Sequence, residues 1–292
     1  RDEFLSIDKD QFCRNINKLM SHYSEIDPRR FLLLVHVAFD QVFGTKIPRN
    51  TIFYHLHNPN DFCKINFLRY FPDARLIMMV REPIECCESW SRSAFERNDY
   101  TLVAHHICEM LHSVDQIAFR KQNSVGIRLE DLKARPENTL RAMCQWLGVQ
   151  ENPSLYQMTA QGKKWWGDPS SPSYSDTEAM APFEDNSISR NTNNIFSDKD
   201  QFILETFFYP FRVRYGYQEQ DPATFRKNVK AVRPLLDELL DFEKAMRAKS
   251  FVTLEQFQRS SAFLFLRANL MARWQVLDEI KDYPHILSPL AI

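Results

Sequence analysis

The spacing of apolar and polar positions changes character along this chain. In the first 50 residues it is helical: Asp27 and Pro28 form an N-cap and N1 pair, the run from Phe31 to Phe43 follows, and Gly44 predicts the stop. Thr51 to His57 (TIFYHLH) is short, β-branched and aromatic, and Asn58-Pro59 closes it, so a strand running into a loop is expected. Leu76 to Val80 (LIMMV) is a continuous apolar run of the kind that suits a strand covered on both faces, and Ser124 to Leu129 (SVGIRL) is a third candidate strand. A helix is expected after each of these two, one from Pro83 and one near Pro136. The second carries the apolar stripe Leu140, Met143, Cys144 and Leu147, with Gly148 as its terminator. Strand and helix alternate, which predicts an α/β fold with a parallel central sheet flanked by helices.

Further on, Ser197 and Asp200 have capping-box spacing ahead of a helix over Ser197 to Phe208, and Pro210 is expected to end it. From Gln218 the pattern is helical and rich in charged pairs, interrupted at Pro234 and Pro284. The expected organisation is a helical segment at 1–50, an α/β core at 51–217 and a carboxyl-terminal helical extension at 218–292. Within the extension, Phe263 to Ile280 has a broad apolar face, read as packing on the core, with a homodimer contact as the alternative.

Composition narrows the function classes. The 292 residues are 44% hydrophobic, enough for one large core, and the formal net charge is −1. A chain so nearly neutral has no global basic field, so nucleic acid is not an expected partner and any anion site has to be local. The longest apolar run, Phe31 to Phe39, is broken by His36 and is about half the roughly 20 residues a spanning helix requires, so no membrane span is expected. Cys13, Cys63, Cys86, Cys87, Cys108 and Cys144 contain no CxxC pair and no metal-ligand spacing, and read as buried thiols of a reducing, cytoplasmic compartment.

The stretch FPDARLIMMVREPIECCESWSRSAFER, from Phe71 to Arg97, carries the best candidate chemistry. Arg81 falls at the carboxyl end of a buried strand, where open α/β sheets bind ligands, and the helix from Pro83 has N–H groups that attract anions. Ser89 follows eight residues later, within reach of a ligand held by a side chain as long as Arg. A guanidinium fork and a hydroxyl suit a phosphate; the plainer reading is that Arg81 pairs with Glu82 or Glu85.

In this order, FPDAR, an apolar strand, R-E-P and the later Ser resemble the 3′-phosphate motif of the PAPS-dependent sulfotransferase family, whose fold is P-loop-like. IRLEDLKARPENTLRAMCQWLGV from Ile127, GKKWWGDPSSPSY from Gly162 and IFSDKDQFILETFFYPFRVRYGY from Ile195 resemble its later landmarks, so the likeness runs collinearly over residues 46 to 217. The resemblance implies an enzyme that moves a sulfuryl group from PAPS to a hydroxyl or amine acceptor and releases PAP, without a metal. Arg81 and Ser89 would hold the donor's 3′-phosphate, together with a loop of Gly162, Lys163, Lys164 and Gly167, and Trp165 or Trp166 would stack on the adenine or wall the acceptor cleft. His55-Leu-His57-Asn-Pro59 resembles in spacing the Lys-Thr-His-x-Pro segment of the cytosolic-type enzymes, which makes His57 the catalytic base. His55 stands where the donor-stabilising Lys is expected, a role that Lys46, Lys64 or a residue beyond this chain would then fill.

The family's amino-terminal loop around the 5′-phosphosulfate has no counterpart. Neither G-x-x-x-x-G-K-[ST] nor G-x-G-x-x-G occurs among the six glycines, so the expectation is a chain that starts after a missing amino-terminal portion. If that portion held an anchor, the Golgi lumen or another secretory compartment would replace the cytoplasm. Two other readings stay open: a catalytically inactive relative that kept the nucleotide site, and a small-molecule kinase of related architecture.

Overall fold

The computed structural model describes residues 6–44, 51–56, 61–112, 123–160, 163–167, 181–183, 195–250, 252–279 and 286–292. The chain divides into two compact units, one of Arg1–Ala74 with Glu151–Pro182, the other of Arg75–Gln150 with Phe183–Ile292.

The first unit begins with a helical pair. Helix α1 (Lys9–Met20) starts where the Asp8 carboxylate accepts the Gln11 N–H at 2.9 Å, and α2 (Pro28–Val42) where Asp27 accepts from Arg30 at 2.7 Å, as the Asp27-Pro28 pair predicts. Gly44 follows with φ 61°, the left-handed conformation expected of a helix stop. The pair packs through Ile16, Leu34 and Ala38, with Phe12, Leu19, Met20 and Val35 around them. Helix α3 (Asp61–Tyr70) presents Phe67 to Tyr54, ring centroids 5.6 Å apart, and to Phe71 at 4.9 Å. The unit also holds a short antiparallel hairpin, β3 (Thr159–Ala160) with β4 (Lys163–Lys164).

The second unit is α/β. Strands β1 (Leu76–Val80) and β2 (Ser124–Arg128) are parallel, in register from Leu76 opposite Ser124 to Val80 opposite Arg128. On the far edge of β2, Gly126 donates to the Ser288 carbonyl and accepts from the Leu290 N–H, both at 2.8 Å, so residues 288–290 run beside it. Each strand feeds a helix: β1 leads to α4 (Pro83–Glu96) and then α5 (Tyr100–His112). Likewise β2 leads to α6 (Leu129–Ala134) and α7 (Pro136–Leu147), the latter closed by Gly148 at φ 67° as its sequence predicts. Helices α8 (Asp198–Arg214), α9 (Pro222–Leu235), α10 (Asp241–Ala248), α11 (Leu254–Gln258) and α12 (Ser261–Glu279) complete it. One core joins them: Ile107 and Leu111 of α5, Ile203, Phe207 and Phe208 of α8, Phe242 and Met246 of α10, and Leu266, Leu270 and Leu277 of α12. The apolar face of α12 packs on this core, as expected for Phe263 to Ile280. Burial of about ten such side chains, each worth roughly 1.5–3 kcal/mol, is what orders these helices.

Three expectations are corrected. Residues 51–56 form no strand; Ile52, Phe53 and Tyr54 are exposed, and no strand pairs with them among the described residues. β-branched and aromatic composition favours a pleated, half-buried surface and cannot make one without a partner. Pro210 does not end its helix, since α8 continues through it to Arg214. An interior proline costs about 3 kcal/mol, and buried Phe211 and Tyr215 beyond it, at about 1.5–3 kcal/mol each, offset that loss. Finally, Cys13 and Cys63 are exposed, whereas Cys87, Cys108 and Cys144 are buried as expected; none of the six is in a disulfide.

No helix among the described residues is long and apolar enough to cross a membrane.

Candidate anion site at the strand ends

Arg81 is the first residue beyond β1 and Glu82 the N-cap of α4. The Glu82 carboxylate accepts the N–H groups of Ile84 and Glu85, both at 2.9 Å, and lies 3.2 Å from Arg212 Nε. This changes the expected chemistry. The leading N–H groups of α4 are already satisfied by the protein's own carboxylate, so an anion here has to be recognised by side chains. Burial pushes the Glu82 carboxyl above its usual range, while the two N–H bonds and Arg212 pull it back.

Arg81 is mostly covered, with 12% of its side chain exposed, and its guanidinium meets Glu85 Oε2 at 3.2 Å, the plainer pairing anticipated from sequence. Glu85 is 44% exposed, so solvent screens the pair and the Arg81 head can be transferred to a stronger anion at small cost. Ser89, partly buried, lies one further turn along α4, about 6 Å beyond Glu85 at 1.5 Å per residue. Glu85 and Ser89 therefore fall on one stripe of α4, and the Arg81 side chain reaches that stripe at Glu85.

A second layer supports this stripe. Glu130, at the start of α6 after β2, accepts the Glu82 N–H at 3.1 Å on one oxygen and the Tyr217 hydroxyl at 2.8 Å on the other. Arg128 lies 3.6 Å from Asp131 and 4.0 Å from Glu130, with its guanidinium 4.4 Å from the centre of the Tyr217 ring. Arg212 also pairs with Glu205 at 3.3 Å. Burial and the Glu130 carboxylate raise the Tyr217 phenol, and burial raises the nearby Cys86 thiol against the pull of Arg81. Deeper in α4, fully buried Glu88 accepts from Phe196 N at 3.1 Å and fixes the chain entering α8.

The other predicted site residues belong to the first unit. His55 is exposed in the stretch 51–56, which forms no strand among the described residues; His57 lies outside the described residues, as does Gly162. Lys163 and Lys164 sit on β4, both exposed, in a hairpin and not in an open loop. Trp165 donates its backbone N–H to the Met158 carbonyl at 3.0 Å and is 39% exposed. Gly167 is buried at φ 88°, a conformation that requires glycine. Sequence reasoning missed Glu130, Tyr217 and Arg212 as partners of the Arg81 corner. The available signal was positional: Arg128 ends β2 beside the end of β1, and the E-D-L corner follows at once.

Against known families, residues 29–153 match the model of the sulfotransferase family, a segment that includes Arg81, Ser89, Glu130 and the histidine pair and stops before Gly162. No curated protein and no solved structure matches the chain.

Proposed function

We propose that this chain, sulfotransferase-like over residues 29–153, transfers a sulfuryl group from PAPS to a hydroxyl or amine acceptor and releases PAP. The observation that carries the reading is the Arg81 corner: a largely covered guanidinium at the end of a parallel strand, paired to a half-exposed carboxylate it can leave, with a serine one turn further along the same stripe. On donor binding the Arg81 fork moves from Glu85 to two oxygens of the 3′-phosphate, and Ser89 donates to a third. Glu82 stays in place as the helix cap. In the transfer, His57 takes the acceptor's proton as the acceptor–sulfur bond forms and the sulfur–oxygen bond to the departing nucleotide breaks, the electron pair leaving with PAP. Lys163 and Lys164 are the candidate donors to the phosphates from the hairpin.

Titration calorimetry with PAP on the intact protein tests the donor site. Wild type is expected to bind at micromolar PAP, and Arg81→Ala to lose about 2 to 4 kcal/mol of binding, because it removes a charge-assisted bidentate contact. Wild type that ignores PAP, or an Arg81→Ala variant that binds it equally, would reject the assignment. Transfer of labelled sulfate then separates an enzyme from a silent binding protein. His57→Ala is expected to reduce turnover at least about a hundredfold with little change in PAP affinity, and unchanged turnover removes His57 as the base.

A further inference from the structure

The Arg81 guanidinium can serve a ligand only if the backbone that carries it is fixed, and Arg81 itself lies between strand and helix, inside neither. Its neighbour Glu82 is held from both sides: the side chain caps α4, while the backbone N–H donates to Glu130 at 3.1 Å. Glu130 is 48 residues away in sequence and joins three segments through one carboxylate: the exit of β1 at Glu82, the exit of β2 on which it stands, and Tyr217 after α8. Its side chain is only 20% exposed, so these contacts are poorly exchanged for water.

We propose that Glu130 is the positioning residue of the nucleotide site, setting the direction in which Arg81 leaves the sheet by holding the Glu82 N–H, with Tyr217 as the brace on its second oxygen. The inference rests on the donor-site reading above and deepens it. It also makes a prediction against simple electrostatics. Glu130 is a negative charge in the neighbourhood of an anion site, and as a mere bystander its removal would tighten anion binding or leave it unchanged. As a positioning residue it acts through reach and acceptor geometry. Gln keeps the length and one carbonyl oxygen for the Glu82 N–H, and its NH2 can donate to the Tyr217 oxygen, which serves as acceptor as readily as donor. Asp keeps the charge and loses about one methylene of reach, leaving the Glu82 N–H unpaired.

The test is PAP calorimetry on the full chain for wild type, Arg81→Ala, Glu130→Gln, Glu130→Asp and Tyr217→Phe, with thermal midpoints measured alongside. Expected are affinity within about twofold of wild type for Glu130→Gln, a loss of about tenfold or more for Glu130→Asp, and a smaller loss for Tyr217→Phe. In a transfer assay the Asp variant raises KM for the donor more than it lowers kcat. The inference is overturned if Glu130→Asp binds PAP as wild type does, if Glu130→Gln loses as much as Glu130→Asp, or if only the thermal midpoints move. Should wild type fail to bind PAP, the donor-site reading fails and the inference with it. Should Arg81→Ala lose binding while the Glu130 variants do not, the donor site stands and the positioning role alone is wrong.

Discussion

The six thiols differ in ways that a reagent can read. Cys13 and Cys63 are exposed on helices of the first unit, whereas Cys87, Cys108 and Cys144 are buried. Burial alone pushes the Cys108 thiol up to about 12, and burial also raises Cys86 and Cys87. The thiolate is the nucleophile, so inaccessible thiols with raised pKa are unreactive at neutral pH. At pH 8 an alkylating reagent is expected to modify Cys13 and Cys63 within minutes, and Cys87, Cys108 and Cys144 only after denaturation, as peptide mass mapping would resolve. Rapid native labelling of Cys87 or Cys108 would contradict the packing of α4 on α5. The sequence placed these cysteines in apolar patterns but did not separate the exposed from the buried, because apolar spacing marks a helix face without saying whether another element covers it.

At the scale of elements, β2 owes its position to a glycine. A Cβ added at Gly126 would run into the hydroxyl and ring of Tyr215, which is buried against Phe211 with centroids 4.5 Å apart. Gly126→Ala is expected to lower stability by about 1 to 3 kcal/mol, the usual penalty of overpacking, measured by urea unfolding. The Tyr215 hydroxyl is buried without a hydrogen-bond partner among the described residues, so Tyr215→Phe should recover part of the loss; an unaffected Gly126→Ala would mean that the ring is not held there. Strand β1 and α4 were legible because a continuous apolar run, then a proline, are local signals, and α7 because Pro136 and Gly148 bracket an apolar stripe; α6, which follows β2 directly, was not. The end of α8 was not. Pro210 argued locally for a stop, and only the burial of Phe211 and Tyr215, set by residues distant in sequence, reverses that argument. Thr51 to Leu56 failed in the opposite sense, with strand-like residues and no neighbouring strand to receive them among the described residues.

Across the whole molecule, the predicted site residues separate between the two units, with Arg81 and Ser89 in one and His55, Lys163 and Lys164 in the other. Motif order pointed to Arg81 and Ser89 because one short strand–turn–helix carries both. It did not reveal that Glu82 fills the head of that helix, nor that Glu130 and Tyr217 brace it, because those contacts join positions that nothing in a linear pattern pairs. The carboxyl-terminal helices, read as an extension, share the main core through Phe242, Met246, Leu266 and Leu270.

The backbone bonds between Gly126 and residues 288 and 290 carry a consequence in time. A chain emerging from the ribosome makes β2 long before it makes the segment that covers the far edge of that strand. Until that segment is made this edge keeps its amide and carbonyl groups open, a template onto which another nascent copy could pair. The protein should therefore depend on chaperones most while this edge is open, and substitutions that hinder the docking of residues 286–290 should lower the soluble yield more than equally destabilising ones elsewhere.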